Sequence, residues 1–235
     1  MSETKKTCLV TGVGPGTGAS LAKRFAAGGY QVAMLARDED RLNDIANSTQ
    51  DVHPFVCDVG DAKSLEETVA AVRNKLGSIH TVVHNAYGAT LSNFLDLDPE
   101  AFKLNFEINA VALLRLAQLT APEMIERGAG VIMATGNTSA YRGKANFAGF
   151  APTKAAQRIL IESIARAVGP QGIHAVYVAI DAVIDVPWTR KAFADKPDEF
   201  FSQPDDIAEE CFHIAHQRKS TWSSDVIIRP YGEDW

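Results

Sequence analysis

Glycine residues are concentrated in one short segment near the start of the chain, at residues 11–18, which read TGVGPGTG. The segment follows a short apolar run at residues 7–11, and apolar residues recur after it at helical spacing as far as Gly28. Glycines at a strand-to-helix junction let the backbone approach a ligand, and the free amides of a helix start attract a pyrophosphate. A glycine cluster alone also occurs in simple tight turns, but at this junction of an alternating chain it predicts a dinucleotide-binding site.

The end of the second predicted strand, Ala36-Arg37, indicates which dinucleotide binds. In such folds the residue at this point meets the adenosine ribose, where an acid favours a free 2′-hydroxyl and an arginine favours a 2′-phosphate. Arg37 therefore predicts NADP, with NAD the less favoured cofactor. The alternative is that Arg37 is a solvated residue at the start of the helix that follows Asp38.

These residues need a scaffold, and seven short apolar segments alternate with helical apolar spacing along the chain. The predicted strands are residues 7–11, 31–36, 53–57, 80–85, 131–135, 174–180 and 225–229. Six helices are predicted. The first follows the glycine segment, the second begins at Asp38 and the third carries Leu65 to Leu76. The others run from Pro99 to Arg127, from Phe147 to Val168 and from Asp205 or Asp206 onward. Right-handed crossovers then predict an α/β fold of the Rossmann type, a doubly wound parallel seven-stranded sheet with helices on both faces. Ligands of such sheets bind at the carboxyl ends of the strands.

Length and composition fit a single domain over residues 1–235. Hydrophobic residues make up 46% of the chain and charged residues 22%, which excludes a disordered or fibrous protein. The net charge is −6 and no basic run occurs, so neither a nucleic-acid nor an anionic-membrane surface is expected. Cys8, Cys57 and Cys211 lack metal-ligand spacing, so we expect neither a disulfide framework nor a metal site. No apolar run reaches the length of a membrane span, and we expect a soluble, cytoplasmic protein.

Three motifs stand together at the expected carboxyl ends of the strands. They are the TGxxxGxG pattern of Thr11, Gly12, Gly16 and Gly18, then Asp58, and then Asn85 with Ala86. With them the chain resembles the short-chain dehydrogenase/reductase family over essentially all of its 235 residues. The resemblance implies hydride transfer between a nicotinamide cofactor and a carbonyl or alcohol. The cofactor-binding residues that we expect are Thr11, Gly12, Gly14, Gly16, Gly18, Arg37, Asp58, Val59, Asn85, Ala86, Lys154 and Val183.

The family's catalytic centre has a tyrosine and a lysine one helical turn apart, because residues four apart share a helix face and the cation lowers the pKa of the phenol. Here the segment reads Phe150-Ala151-Pro152-Thr153-Lys154, so the lysine is present and a phenylalanine replaces the tyrosine. The family's serine position falls on Asn137, with Ser139 close by, and its active-site asparagine falls on Asn109. The resemblance therefore implies that the catalytic residues of this atypical member are Lys154, Asn109, Asn137 and Ser139.

Further departures follow the sixth strand, where Ile180-Asp181 replaces the family's Pro-Gly and Asp185 replaces its threonine. Since the departures fall at the nicotinamide end, cofactor binding is better supported than the usual proton transfer. Two hypotheses remain: an atypical NADP-dependent oxidoreductase, and a non-catalytic NADP(H)-binding sensor or partner-binding module. In the first, the substitute proton donors would be Thr138, Ser139, Tyr87, Tyr141 or a water held by Asn137 and Asn109.

Residues 181–203 contain aromatic residues without a clean period, at the place of the family's substrate lid. They would cover an apolar carbonyl or alcohol substrate, or pack a satellite cluster or a subunit contact. The resemblance also implies a homodimer or homotetramer, paired through the 99–127 helix and the helix of Phe150 and Lys154. His84 ends a buried strand, and we expect it to be a hydrogen-bonded core residue.

Overall fold

The computed structural model describes residues 5–232 and contains one large parallel sheet with helices on both of its faces. The strands are β1 (Thr7–Thr11), β2 (Gln31–Ala36), β3 (Val52–Val56), β4 (Ile79–His84), β5 (Gly130–Gly136), β6 (Ile173–Ile180), β7 (Val183–Ile184), β8 (Phe201–Ser202) and β9 (Asp225–Ile228). Seven of them form the large sheet in the order β3-β2-β1-β4-β5-β6-β9, and every neighbouring pair is parallel. The prediction of a doubly wound parallel α/β sheet is confirmed.

Two helical layers enclose this sheet. The helices are α1 (Thr17–Ala27), α2 (Glu39–Ser48), α3 (Ala62–Leu76), α4 (Pro99–Phe106), α5 (Ala112–Arg127), α6 (Ala151–Val168), α7 (Pro187–Ala192) and α8 (Pro204–Ala215). One core cluster joins the sheet to α1, α2 and α8, and a second joins its other face to α3, α5 and α6. Within residues 5–232 no helix is long and apolar enough to cross a membrane.

The apolar sequence of β1 follows from burial on both of its faces. Leu9 belongs to the cluster on the α3, α5 and α6 side, whereas Cys8 and Val10 belong to the cluster on the opposite side. All three side chains are fully buried. A strand covered on both faces has no polar alternation, which is why the sequence shows a continuous apolar run here.

The predicted helix from Pro99 to Arg127 contains a π turn at Glu107–Val111, between α4 and α5. There the amide of Ala112 donates to the carbonyl of Glu107, five residues earlier. The apolar spacing on either side is that of a continuous helix, so the sequence pattern does not predict the wider turn. The turn contains Asn109, whose side chain is fully buried.

Two helix starts differ from the prediction because of proline. Helix α6 begins at Ala151 rather than at Phe147, and residues 145–147 form a separate short 3₁₀ turn. Helix α8 begins at Pro204 rather than at Asp205 or Asp206. Proline has no amide hydrogen and a fixed φ, so it fits the first turn of a helix, where amides have no helical partner.

Residues 181–203, which we call the flap, form defined elements where no regular structure was predicted. Strands β7 and β8 pair in parallel, Val183 with Phe201 and Ile184 with Ser202, and α7 lies between them. The flap leaves the sheet at the carboxyl end of β6, where the amide of Asp181 donates to the carbonyl of Ile228. It therefore stands over the edge at which ligands of parallel sheets bind.

Candidate functional site

A cavity of about 480 Å³ opens at the carboxyl ends of β1, β4, β5 and β6, beneath the flap. Its lining residues come from the glycine segment, the strand ends, the start of α6 and the flap. They are Gly12, Gly14, Pro15, Gly16, Thr17, Gly18, Asn85, Tyr87, Leu91, Thr135, Gly136, Asn137, Phe150, Lys154, Ile180, Ala182, Val183, Ile184, Val186, Trp188, Thr189 and Phe193. The sequence-predicted residues at this cavity are the four glycines of the segment, Asn85, Tyr87, Asn137, Lys154 and Val183.

The glycine segment packs so tightly that two of its glycines leave no room for a side chain. Gly12 has φ +68°, and a Cβ there would lie 2.5 Å from the Cα of Ala86. A Cβ on Gly18 would lie 2.4 Å from the carbonyl oxygen of Gly12. Gly14, by contrast, faces open space. The loop is therefore a backbone cradle at the start of α1, the arrangement that binds phosphate.

Thr17 adds a side chain to this cradle that the sequence analysis did not identify. It begins α1 and lines the cavity, and its Oγ1 is buried with no partner among residues 5–232. A buried hydroxyl without a partner is costly, and an anion at the helix start would accept its hydrogen bond. The signal was present, because a threonine stood between two glycines at the predicted helix start.

Thr11 and His84 join the ends of β1 and β4 beneath the cradle. The Nε2–H of His84 donates to the carbonyl of Ile108 at 2.9 Å, so its Nδ1 accepts from the hydroxyl of Thr11 at 3.0 Å. The Thr11 oxygen in turn accepts the backbone amides of Asn85 and Ala86 at 3.1 and 3.2 Å. Burial, with the nearby Lys154 as a smaller cause, lowers the pKa of His84 to about 4. The prediction that His84 is a hydrogen-bonded core residue is confirmed.

Asn85 links three strand ends across the floor of the cavity. Its Nδ2 donates to the carbonyl of Gly12 at 3.0 Å, and its Oδ1 accepts from the hydroxyl of Thr135 at 3.0 Å. The Asn85 side chain, which lies just after β4, thus holds the ends of β1 and β5 against the end of β4. Both halves of the amide are used, so its role in this structure is to hold the glycine loop in place.

Arg37, Asp58 and Val59 stand at the same edge of the sheet but outside the cavity lining. Arg37 is exposed just after β2, and Asp58 is exposed just after β3, where its Oδ1 accepts the amide of Gly60 at 2.9 Å. Val59 beside it is buried. Because β2 and β3 follow β1 in the sheet, these residues extend the site from the glycine cradle toward the outer strands.

Lys154 lies at the opposite end of the cavity and is almost fully buried. Its Nζ donates to Oε1 of Gln157 at 2.9 Å and to the carbonyl of Thr135 at 3.4 Å. Within residues 5–232 no carboxylate forms an ion pair with it, and burial lowers the pKa of Lys154 to about 7. The ring centroid of Phe150 is 5.9 Å from Nζ, so the lysine has an aromatic neighbour one turn earlier on the same side.

The other two polar residues predicted near Lys154 occupy different places. Asn137 lines the cavity, and its Oδ1 accepts the amide of Ser139 at 3.2 Å. Ser139 itself lines a neighbouring groove of about 330 Å³ with Tyr141 and Phe147, not the cavity of Lys154. The structure therefore brings Asn137, but not Ser139, to the lysine.

Asn109 lies behind the cavity wall. Its Nδ2 donates to the carbonyl of Gly88 and to the hydroxyl of Thr153, both at 2.8 Å, and its Oδ1 accepts the amide of Gly88 at 3.0 Å. All of its hydrogen-bonding capacity is thus used within the protein, except for one acceptor position on Oδ1. It fixes the loop after β4 against the helix that carries Lys154.

The two aspartates that follow β6 have structural contacts. Asp181 is buried and accepts from the hydroxyl of Thr138, with Arg142 3.8 Å away. Asp185 forms a two-pronged ion pair with Arg190 inside the flap, each N–O distance being 2.6 Å. Hydrogen bonds from Arg190 and then from Gln203 lower the pKa of Asp185 to about 2. Asp185 therefore braces the flap rather than lining the cavity.

The remaining cavity wall is apolar and partly open at the mouth. Tyr87, Leu91 and Trp188 are each more than 60% exposed although they line the cavity, and Phe193 stands beside them. Tyr141 is held outside by Asp225, which accepts from its hydroxyl, and burial with this contact raises its pKa. Exposed apolar side chains at a concave mouth are typical of a site for an apolar ligand.

Comparisons with known proteins place the chain among oxidoreductases. Residues 6–197 match the family model described as short chain dehydrogenase. L-xylulose reductase from Bos taurus is 30% identical over 191 residues, which cover 81% of this chain and 76% of the reductase. 7alpha-hydroxysteroid dehydrogenase from Escherichia coli (strain K12) is 28% identical over 239 residues, covering 97% and 93% of the two chains.

Solved structures share the fold over nearly the whole chain. An alcohol dehydrogenase from the archaeon Thermococcus sibiricus, complexed with 5-hydroxy-NADP, is 25% identical with a TM-score of 0.86, and 98% of each chain is covered. A short chain oxidoreductase from Pseudomonas aeruginosa PAO1, whose NADPH-bound structure contains an atypical catalytic center, has a TM-score of 0.87 at 20% identity. That match covers 97% of this chain and 96% of the oxidoreductase, and it shows a common fold.

Proposed function

Because the chain belongs to the short-chain dehydrogenase family, we propose that it is an NADP-dependent oxidoreductase of a carbonyl or alcohol substrate. One observation carries this proposal. A single cavity runs from the glycine cradle at Gly12 and Gly18 to Lys154 and then to an apolar mouth at Trp188. A dinucleotide and a small organic substrate would meet in such a cavity.

The residues fit the cofactor at both of its ends. The cradle of Gly12 and Gly18, with the unpartnered hydroxyl of Thr17, would hold the pyrophosphate, and the buried Lys154 ammonium would bind ribose hydroxyls. Arg37 would pair with a 2′-phosphate, which favours NADP. The alcohol dehydrogenase from Thermococcus sibiricus, which carries an NADP derivative, supports this choice. NADPH, when bound, supplies the hydride and leaves as NADP⁺.

We further propose that Phe150 occupies the family's tyrosine position and makes this member atypical. A positioned general acid contributes about 10²- to 10⁴-fold, or roughly 3 to 5 kcal/mol. Holding hydride donor and acceptor in reactive geometry is worth about 7 to 11 kcal/mol and needs no phenol. The larger contribution, from holding the hydride donor and acceptor together, is thus retained. Lys154 and Asn137 at the cavity would provide it, and Asn109 fixes the loop behind the cavity.

The substrate proposed for this site is an apolar carbonyl or alcohol. The mouth of Tyr87, Leu91, Trp188 and Phe193 presents aromatic and aliphatic surface. The two relatives differ here, one being named for a sugar and the other for a steroid. The apolar wall favours a substrate of the second kind.

A second candidate function, an NADP(H) sensor without turnover, is favoured by one observation. Phe150 offers no proton at the position where the family carries a phenol. The two functions predict different fates for a bound cofactor: an enzyme oxidises it in the presence of a carbonyl, and a sensor does not.

Deuteride transfer tests the proposal directly. NADPH carrying deuterium at both C4 positions of the nicotinamide is incubated with the protein and a panel of aromatic and aliphatic ketones, and the alcohol product is analysed by mass spectrometry. We expect one deuterium in the product, on the former carbonyl carbon. Binding of NADPH with no labelled alcohol from any ketone would favour the sensor instead.

We also propose pairing of subunits through α4, α5 and α6. Leu104, Leu114 and Ile125 on the first two helices and Ile159 on α6 are exposed apolar residues. Apolar positions of this kind on helices are suited to a two-fold helical interface. Sedimentation at micromolar concentration should give a dimer or tetramer, and a single species at the mass of one chain would contradict the pairing.

A further inference from the structure

Gln157 makes an unusual contact with Lys154 on helix α6. It follows the lysine by three residues, is fully buried, and its Oε1 accepts from the lysine Nζ at 2.9 Å. Its Nε2 is buried too and has no hydrogen-bond partner among residues 5–232. A buried amide whose two N–H donors are both unused is costly, so this residue needs an explanation beyond packing.

An amide holds a lysine differently from a carboxylate. A carboxylate would fix the ammonium in its charged state, because an opposite charge within a few ångströms favours ionisation. Gln157 has no charge, so Lys154 keeps the low pKa, about 7, that burial gives it. The lysine therefore exchanges its proton in the range in which a general acid works at neutral pH.

The unpartnered Nε2 of Gln157 could hydrogen-bond Lys154 when the lysine is neutral. Charged Lys154 donates to Oε1, as the structure has it. Neutral Lys154 has a lone pair on Nζ, and a half turn of the Gln157 amide would present Nε2–H to it. The same residue can thus hydrogen-bond both states, which lowers the cost of losing the proton.

Among residues 5–232, no charged side chain forms a hydrogen bond or ion pair with Lys154. His84 faces Lys154 from β4 and is neutral at ordinary pH, since its pKa is lowered to about 4. Thr135 and Asn137 face it from the end of β5 and carry no charge. The nearest strand end on the other side bears Asp181, which is engaged by Thr138 and Arg142.

We propose that Lys154, positioned by Gln157, is the proton donor that replaces the phenol in this protein, an inference that rests on the proposed function. In the step, the carbonyl carbon receives the hydride as the C=O π bond breaks, and the carbonyl oxygen takes a proton that leaves Lys154 Nζ, directly or through one water. The hydride comes from NADPH, so the products are the alcohol, NADP⁺ and a neutral amine. The amine regains a proton from solvent, so atoms and charges balance.

The first test observes the lysine without cofactor or turnover. Protein containing ¹³C-labelled lysine is titrated by NMR, and the Lys154→Met spectrum assigns the signal. In the wild type the Lys154 signal should titrate near pH 7. Gln157→Glu should move the midpoint up by about 1 to 3 pH units, because a buried carboxylate holds the ammonium. Gln157→Leu should move it down, because the acceptor is lost.

The second test uses the NADPH-dependent reduction of trifluoroacetophenone as a function of pH. The wild-type rate should be level below about pH 7 and fall above it, because only protonated Lys154 donates. Gln157→Glu should have a lower plateau rate, since a weaker acid transfers its proton more slowly. That rate should stay level to a higher pH than in the wild type. Lys154→Arg keeps the charge but cannot release a proton, so kcat should fall at least about 10²-fold while the NADPH dissociation constant changes less than tenfold.

The outcomes separate the inference from the function on which it rests. A Lys154 signal with an ordinary lysine midpoint, or an unchanged midpoint in Gln157→Glu, overturns the role of the pair whatever the activity. Full turnover by Lys154→Arg overturns the donor role alone. A wild type that binds NADPH and reduces no ketone overturns the proposed reaction, and the donor role with it, while the NMR titration still decides whether Gln157 governs the charge of Lys154.

Discussion

The two ends of the cavity are built in different ways. At the glycine end, backbone atoms would bind the cofactor in the proposed function: Gly12 and Gly18 leave no room for side chains, and Thr11 and His84 hold the strands that carry the loop. At the lysine end, the proposed chemistry depends on individual side chains, namely Lys154, its partner Gln157 and the ring of Phe150. A backbone cradle is specified by glycine spacing and strand topology, whereas the proposed proton transfer depends on single residues and their neighbours.

The largest expected effect is at the lysine end, from Phe150→Tyr. The new hydroxyl would extend from the ring that now lies 5.9 Å from Nζ, toward the substrate oxygen of the proposed reaction. Ketone reduction should rise by about 10- to 10⁴-fold, the range for a recovered general acid. The low end is expected if Lys154 already donates the proton, as proposed. Steady-state kinetics with trifluoroacetophenone measures the change. Phe150→Leu is the control, because it changes the side chain and removes the ring without adding a hydroxyl. No ketone reduction by Phe150→Tyr across a broad panel, with normal NADPH binding, would favour the sensor function.

At the glycine end the sharpest test is Gly12→Ala. Alanine must adopt φ +68° there, and its Cβ would meet the backbone of Ala86 at 2.5 Å. The strained backbone and the overpacking together should lower the free energy of unfolding by about 2 to 5 kcal/mol. Urea unfolding of the free protein checks this. Gly14→Ala is the matched control, since nothing lies within 4 Å of its added Cβ, and it should unfold like the wild type.

His84 makes the glycine end sensitive to acid. Its pKa is lowered to about 4 in the folded protein from the ordinary value of 6.5, so between these two pH values it is neutral when folded and takes up a proton on unfolding. Its contribution to stability is present above pH 6.5 and is lost as the pH falls to about 4, amounting to about 3 kcal/mol. Urea unfolding at both ends of this range should show the loss, and His84→Gln should show a smaller one. An identical pH dependence in the two proteins would exclude His84 as the cause.

The smallest expected effect concerns Arg37, at the outer edge of the glycine end. A charge-assisted bond to a 2′-phosphate is worth about 1.5 to 3 kcal/mol, so Arg37→Ala should weaken NADPH binding by about 10- to 150-fold. NADH lacks that phosphate and should bind as before. Calorimetric titration of both cofactors makes the comparison, and equal losses for the two would show that the arginine acts on the fold rather than on the phosphate.

The sequence predicted the scaffold well because burial on both faces of the sheet leaves a pattern. All seven strands of the large sheet were located to within one or two residues. Asp38, predicted to begin a helix, lies one residue before α2 and caps its first turn by accepting the Arg41 amide. The π turn at Glu107–Val111 was missed, because it breaks no apolar spacing.

Side-chain partners in the site were harder to predict than the strands. Gln157 lies one turn before Ile161 on the buried face of α6, a polar residue on an apolar stripe, and that signal could have identified it. Ser139 was expected beside the lysine because it is close to Asn137, the family's serine position, but the 3₁₀ turn at Thr138–Ala140 places it in the neighbouring groove. The separation of two residues along a loop does not determine the direction in which their side chains point, so these placements required the structure.

The flap is ordered by its own contacts. Its two ends pair as β7 and β8, Gln203 and Arg190 both bind Asp185, and Arg190 reaches on to Asp198. The conformational entropy of these residues is therefore lost during folding, where fixing each backbone residue costs about 1 to 2 kcal/mol. A ligand that meets an already ordered cover does not have to supply that free energy again, and more of its contact energy is expressed as affinity. The ion pairs of the flap would thus preorganise the cover of the cavity, and we expect affinity for a ligand to depend on salt through charges that lie outside the cavity lining.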